Sequence, residues 1–250
     1  MVEKEEFMKI NKAYLVSGAL IIAGLFLIGC PSKSILSNVT IDDPALIKID
    51  INLDKSRNQL GSVTENITAR IKDKNDDIVE LKNGSISINN INMELQYELI
   101  SKLPYYYIPS SRVPYVADSN YSFVITLSNG KQYKAGIKTQ TKEFHTFQVS
   151  DNHNKANALS VSWQDIDTSG QVLISVFKNF TNSKTATDTI YISDASKGTY
   201  TFEPAYFGEN PESMDLTLSS VKYGDIDSSF MNGSSISSKI NISRKVKFIP

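Results

Sequence analysis

Cysteine occurs once in these 250 residues, at position 30, and tryptophan once, at position 163. A single thiol closes no internal disulfide, so the fold must be held by buried apolar area and not by cross-links. Histidine is nearly as scarce, and catalysis of the Ser-His-Asp kind needs an imidazole to take the proton. The two candidates, His145 and His153, lie in the polar stretch 138–157, KTQTKEFHTFQVSDNHNKAN, and read as linker or surface residues. Charge of one sign is also lacking, with 26 basic against 27 acidic residues. Neither nucleic acid nor an anionic membrane surface is addressed by such a balance. No Gly-x-Ser-x-Gly elbow, phosphate-cradling glycine loop, dinucleotide fingerprint or His-Glu-x-x-His helix occurs. Beyond residue 31 no window carries an apolar stripe at helical spacing, so helix is expected only as isolated turns.

One long uncharged run is present, Ala13 to Ser32, AYLVSGALIIAGLFLIGCPS. Lys9 and Lys12 precede it, its apolar core runs from Ala13 to Phe26, and Gly29 offers a side-chain-free approach to a scissile bond. Those are the parts of a secretory signal. Glu3, Glu5 and Glu6 offset the basic charge at the start, and initiation at Met8 gives the more ordinary leader MKINKAYL. The ending Leu27-Ile28-Gly29-Cys30 resembles the lipobox of bacterial lipoproteins. That resemblance implies cleavage after Gly29 and palmitate-type acylation of Cys30, with the lipid bilayer as partner. One acyl chain holds only marginally, at about 0.8 kcal/mol per buried methylene; the multiply acylated cysteine of the family meets the need. Pro31 stands where many inner-membrane lipoproteins of Gram-negative bacteria carry aspartate, which favours the outer membrane over the inner. The competing reading is an uncleaved transmembrane helix, for which about 20 apolar residues suffice. Gly24, Gly29 and Pro31 weaken its far end.

After a polar tether the pattern turns to period two. Ile47, Ile49, Ile51 and Leu53 alternate with Lys48, Asp50 and Asn52, which puts every apolar side chain on one face of a strand. Ile67, Ala69 and Ile71 repeat it, a turn follows at residues 73–77, and the run from Ile86 to Leu95 slips spacing as if bulged near Asn89-Asn90. The clearest hairpin lies at 121–137, with Asn129-Gly130 supplying positive φ at a tight turn. The second half repeats the strand signal. There Leu159-Ser-Val161-Ser-Trp163 is similar to the second strand of fibronectin type III and immunoglobulin-like domains, in which a tryptophan fills the space between two sheets. The expected fold is all-β: two tandem antiparallel β-sandwiches, immunoglobulin or fibronectin type III-like, after an N-terminal signal helix. The expected division is signal peptide 1–29, lipidated tether 30–44, first sandwich 45–140 and second sandwich 141–250.

Two turns invite a calcium reading, and the first, Asp73-Lys-Asn75-Asp-Asp77, fails it because Ile78 stands where glycine is required. Asp165-Ile-Asp167-Thr-Ser169-Gly170 opens like a calcium loop, but Val176 stands where its bidentate glutamate belongs. Asx-type hydrogen bonding in a turn accounts for it better, and no metal or cofactor is expected. The stretch richest in recognition chemistry is 103–115, where Tyr105, Tyr106, Tyr107, Arg112 and Tyr115 stand among Pro104, Pro109 and Pro114. Tyrosines give broad contact at low entropic cost and a hydroxyl at the tip, which suits a protein or glycan ligand. The bland alternative is that these rings plug one end of a sandwich, and the prolines oppose a central strand here. The chain as a whole looks like the two-sandwich envelope lipoproteins of Gram-negative bacteria. Its expected role is a non-enzymatic binding or structural module. The alternatives are a carbohydrate-active accessory protein or enzyme, and an adhesin or pilus-type subunit offering an unpaired sheet edge.

Overall fold

The computed structural model describes residues 40–208 and 211–249. The expected signal peptide 1–29 with its cleavage residue Gly29, the expected lipidation residue Cys30 and most of the expected tether lie outside them. Among the described residues no helix is long and apolar enough to cross a membrane. The first half forms β1 (Ile47–Arg57), β2 (Val63–Asp73), β3 (Ile78–Val79), β4 (Ser85–Ile88), β5 (Ile91–Asn92), β6 (Glu94–Tyr97), β7 (Pro104–Ile108), β8 (Asn120–Thr126) and β9 (Gln132–Lys138). The second forms β10 (Thr146–Gln148), β11 (Asn152–Asn154), β12 (Leu159–Gln164), β13 (Gln171–Phe180), β14 (Thr185–Tyr191), β15 (Thr199–Phe202), β16 (Pro211–Tyr223), β17 (Asp225–Ile226) and β18 (Ser235–Ile249). Single 3-10 turns supply the described helical residues.

Ten strands make one sheet in the order β14-β13-β16-β18-β1-β2-β7-β6, with β11 beside β18 and β3 beside β2. A five-stranded sheet, β17-β9-β8-β4-β5, covers the inner face of one half, and a three-stranded sheet, β10-β12-β15, covers the other. Pairing is antiparallel apart from β18, which runs parallel to β1 and to β11. Period-two alternation explains which face is buried. Ile47, Ile49, Ile51 and Leu53 of β1 meet Ile86, Ile88, Phe123 and Ile125 across the first core. The second core gathers Val161, Trp163, Ile174, Val176, Phe202, Leu216 and Leu218. Trp163 is buried between the sheets, as its strand's resemblance implied, and its indole Nε1 donates to the Ala195 carbonyl at 2.8 Å.

The cores are joined by continuous backbone. In β18 the inward residues Ile236 and Ile240 belong to the first core, and Ile242 and Val246 to the second. Phe230 and Ile226 also pack on the first core, although they lie far beyond the expected division at 140/141. The return is made at Gly224, where the chain leaves β16 and crosses to β17 beside β9. A Cβ there would sit 2.1 Å from the Gly136 carbonyl oxygen, so only glycine turns this corner.

Three local expectations are corrected. Asn89 and Asn90 form no bulge: both have positive φ, at 47° and 65°, in a two-residue turn between β4 and β5. The apparent slip in spacing is a reversal of direction. At Asn129-Gly130 only Gly130 has positive φ, and Leu127 N donates to Lys131 O at 3.0 Å, giving a loop one residue longer than the tight turn. Segment 104–108 is a paired strand between β2 and β6. Its prolines do not oppose this, because Pro104 opens the strand and Pro109 follows its end.

Candidate functional site

Strand β7 divides the tyrosine cluster by alternation. Tyr106 pairs with Ala69 on the inward face and is buried; its hydroxyl accepts from Leu81 N at 2.9 Å. Tyr115 is also buried, donating to Gln140 Oε1 and sharing a hydrogen bond of 2.8 Å with Ser238 Oγ. Burial pushes both phenols up to about 12. These two rings are core plugs, leaving Tyr105 and Tyr107, half-buried on the outer face, and the exposed Arg112. Arg112 pairs with Glu94 at 2.8 Å, an exposed contact that adds little. A hollow of about 340 Å³ lies beside Arg112, Val113 and Asn120. Tyr106→Phe leaves the buried Leu81 N–H without its acceptor and is expected to lower stability by about 1–2 kcal/mol. Tyr107→Phe should change a urea unfolding midpoint negligibly.

Tyr107 pairs with Thr68, so it shares the outer face of the ten-stranded sheet with the polar residues of β1, β2, β16 and β18. Register lines them up in rows across the strands. One row runs Tyr223, Ser237, Asn52, Thr68, Tyr107. A second runs Val221, Lys239, Asp54, Asn66, and a third Tyr191, Leu173, Ser219, Asn241, Ser56. Side-chain bonds stiffen them: Ser237 Oγ to Asn52 Oδ1 at 2.9 Å, Ser219 Oγ to Asn241 Oδ1 at 2.7 Å, and Asn241 Nδ2 to Ser56 Oγ at 3.1 Å. In the sequence of β1 the apolar half declares its face, while the polar half carries no signal of its own. The alternation that marks Ile51 and Leu53 as inward marks Asn52 and Asp54 as outward, but which strands flank them is set by a partner 185 residues away.

Between the two cores the connecting segment is tied down residue by residue. Thr139 Oγ1 donates to Val116 O at 2.7 Å and accepts from Ser119 N at 3.0 Å. Gln140, fully buried, donates from Nε2 to Ser220 O and Ser238 O, both at 2.8 Å, and its Oε1 accepts from Tyr115 and Ser238. Thr141 N and Oγ1 both donate to Asp167. Lys142 pairs with Asp165, and Glu143 with the buried Lys55, which Glu65 also holds at 2.9 Å. The Arg57 guanidinium lies 3.8 Å over the Phe144 ring. Burial works to raise the Asp167 pKa, but bonds from Ser169 and Thr141 and the Lys222 ammonium at 2.9 Å hold the carboxyl well below its usual range. Both Asp167 oxygens are therefore engaged by protein donors. Among the described residues no group of three or more His, Cys, Asp or Glu is placed to hold a metal.

No protein-family model matches this chain, and no curated protein matches it. Distant likeness to solved structures is found. The chain is similar to a Bacteroides ovatus mixed-linkage glucan utilization locus protein, SGBP-B, in complex with a mixed-linkage heptasaccharide. The identity is 14%, with 83% of this chain and 45% of that one covered at a TM-score of 0.21. It is similar to the Yersinia pseudotuberculosis adhesin InvE at 15% identity, over 79% and 58% of the two chains, with a TM-score of 0.21. Chicken CNTN1 FN1-FN3 domains are matched at 9% identity, over 80% and 68%, with a TM-score of 0.22. This chain thus spans less than two thirds of the first and second of these.

The histidines take structural places. His145 is buried, not on the surface, with Nε2 unpartnered, and burial lowers its pKa to about 4. His153 Nε2 lies 3.0 Å from Asn157 O, and its ring meets Phe207 and Phe248 edge-on. One end of the large sheet is the exposed edge strand β14, where Asp188 places a charge that discourages edge-to-edge pairing.

Proposed function

We propose that this chain is a bacterial envelope lipoprotein, cleaved after Gly29 and acylated on Cys30, and that it is a non-enzymatic binding or structural module. Residues 30–44 are its tether, and the outer membrane is the favoured address. The two sandwiches, the first completed by Ile226, Phe230, Ile236 and Ile240 from beyond residue 141, act together, since residues 139–145 are bonded on both sides and leave no free hinge. That continuity is the observation that carries the reading, because it turns the ten-stranded sheet into one stiff platform. A protein or glycan ligand would meet Tyr105, Tyr107 and Arg112 at one margin of it. A non-enzymatic role is supported by the histidines, which face a packed interior or a backbone carbonyl.

Mass spectrometry with membrane fractionation tests the anchor. The wild type should begin at an acylated Cys30 and stay with membranes, whereas Cys30→Ser should lose the lipid mass and the mature terminus. An unmodified Met1 or Met8 terminus with a bare Cys30 thiol would contradict the proposal.

A further inference from the structure

The outer face of the large sheet carries a groove of about 690 Å³, lined across β14, β13, β16, β18, β1 and β2 by Tyr191, Leu173, Val221, Lys239, Asp54 and Asn66, among others. Neighbouring strands lie about 4.8 Å apart, so the row from Tyr191 to Ser56 spans about 19 Å. Several properties point to one ligand class. Asp54 lines this face, and its Oδ1, buried beneath the surface, has no hydrogen-bond partner. Such an acceptor needs a donor. Lys239 faces Asp54 in register, makes no hydrogen bond to that oxygen, and has ammonium donors to offer a ligand. The two charges balance, which argues against an anionic ligand. The floor beside them is apolar at Val221 and Leu173, and the Tyr191 ring, 64% exposed, stands at the margin of the same row as Leu173. The Ser219, Asn241 and Ser56 side chains are already bonded to one another, so the surface is ordered before anything arrives.

From this geometry we infer that the groove binds a neutral oligosaccharide lying across the strands, with Asp54 and Lys239 holding vicinal hydroxyls and Tyr191 stacking on a ring face. Sugar hydroxyls both donate and accept, as the carboxylate and ammonium require, and the apolar C–H faces of a pyranose suit tyrosine. A protein partner would meet only a small apolar floor at Val221 and Leu173 among mostly polar side chains, less than the apolar centre of a stable interface. This assignment rests on the binding-module reading and names its ligand and its place.

The test is a printed array of neutral oligosaccharides, probed with the full chain in lipid nanodiscs. Binding to at least one saccharide class is expected, and Asp54→Asn and Tyr191→Ala should each weaken it at least tenfold with unchanged thermal unfolding. Binding to no arrayed saccharide would overturn the inference, as would binding that survives both substitutions. Loss on Tyr107→Ala with Asp54→Asn unaffected would overturn the groove and leave the binding-module reading standing. The result of the Cys30→Ser fractionation is independent of all these outcomes.

Discussion

Replacing Gln140 by alanine is expected to lower the unfolding free energy by about 3 kcal/mol and the melting temperature by roughly 6–12 °C. The side chain makes two donor bonds to the Ser220 and Ser238 carbonyls and accepts from Tyr115 and Ser238, all in a site without solvent exposure. Truncation leaves those groups buried with fewer partners, and each costs about 1–3 kcal/mol. Gln140→Glu separates hydrogen bonding from packing. It keeps the shape but turns a carboxylate oxygen toward two carbonyls, so a loss at least as large as alanine's is expected. If Gln140→Glu melts like the wild type, the amide is a spacer and the clamp assigned to it does not exist. Urea titration of both variants, with intact wild type alongside, is the measurement.

The second large effect is acid destabilisation through His145. Burial lowers its pKa from 6.5 to about 4, while a bond involving the Leu218 backbone opposes the shift and Arg57 adds to it. The unfolded imidazole takes its proton near 6.5, so between that pH and about 4 the unfolded chain binds more protons. Stability contributed by the neutral ring is therefore full above 6.5 and falls as pH drops to about 4. The loss totals about 3 kcal/mol at about 1.4 kcal/mol per unit. Asp167 acts in a different window. Its folded pKa is depressed, so its contribution is present above the ordinary carboxylate value near 3.8 and is lost only below it. A fall in stability between pH 6.5 and 4 that His145→Asn abolishes is the expected result. An identical pH dependence in wild type and variant would assign the fall to other groups.

Much of the fold could be read from alternation. β1, β2, β8 and β9 stand where Ile47 to Leu53, Ile67 to Ile71 and the 121–137 hairpin place them, and Trp163 fills the second core. What could not be read is pairing over distance. Nothing local in SISSKINISRKVKFI shows that it lies parallel to β1 on one side and antiparallel to β16 on the other. The connection at 139–145 was misleading for a related reason. Thr139, Gln140, Thr141, Lys142 and Glu143 have linker composition, but polar side chains in a buried seam close hydrogen bonds that only tertiary contact provides. The tyrosine cluster was legible as composition and not as placement, since period two sends Tyr106 inward and Tyr105 and Tyr107 outward.

Differential scanning calorimetry of the full chain in detergent micelles tests most directly whether the two cores act as one body. The shared strand β18 and the clamp at 139–145 should give a single transition with calorimetric and van't Hoff enthalpies equal. Two resolved transitions, each insensitive to Gln140→Ala, would contradict it.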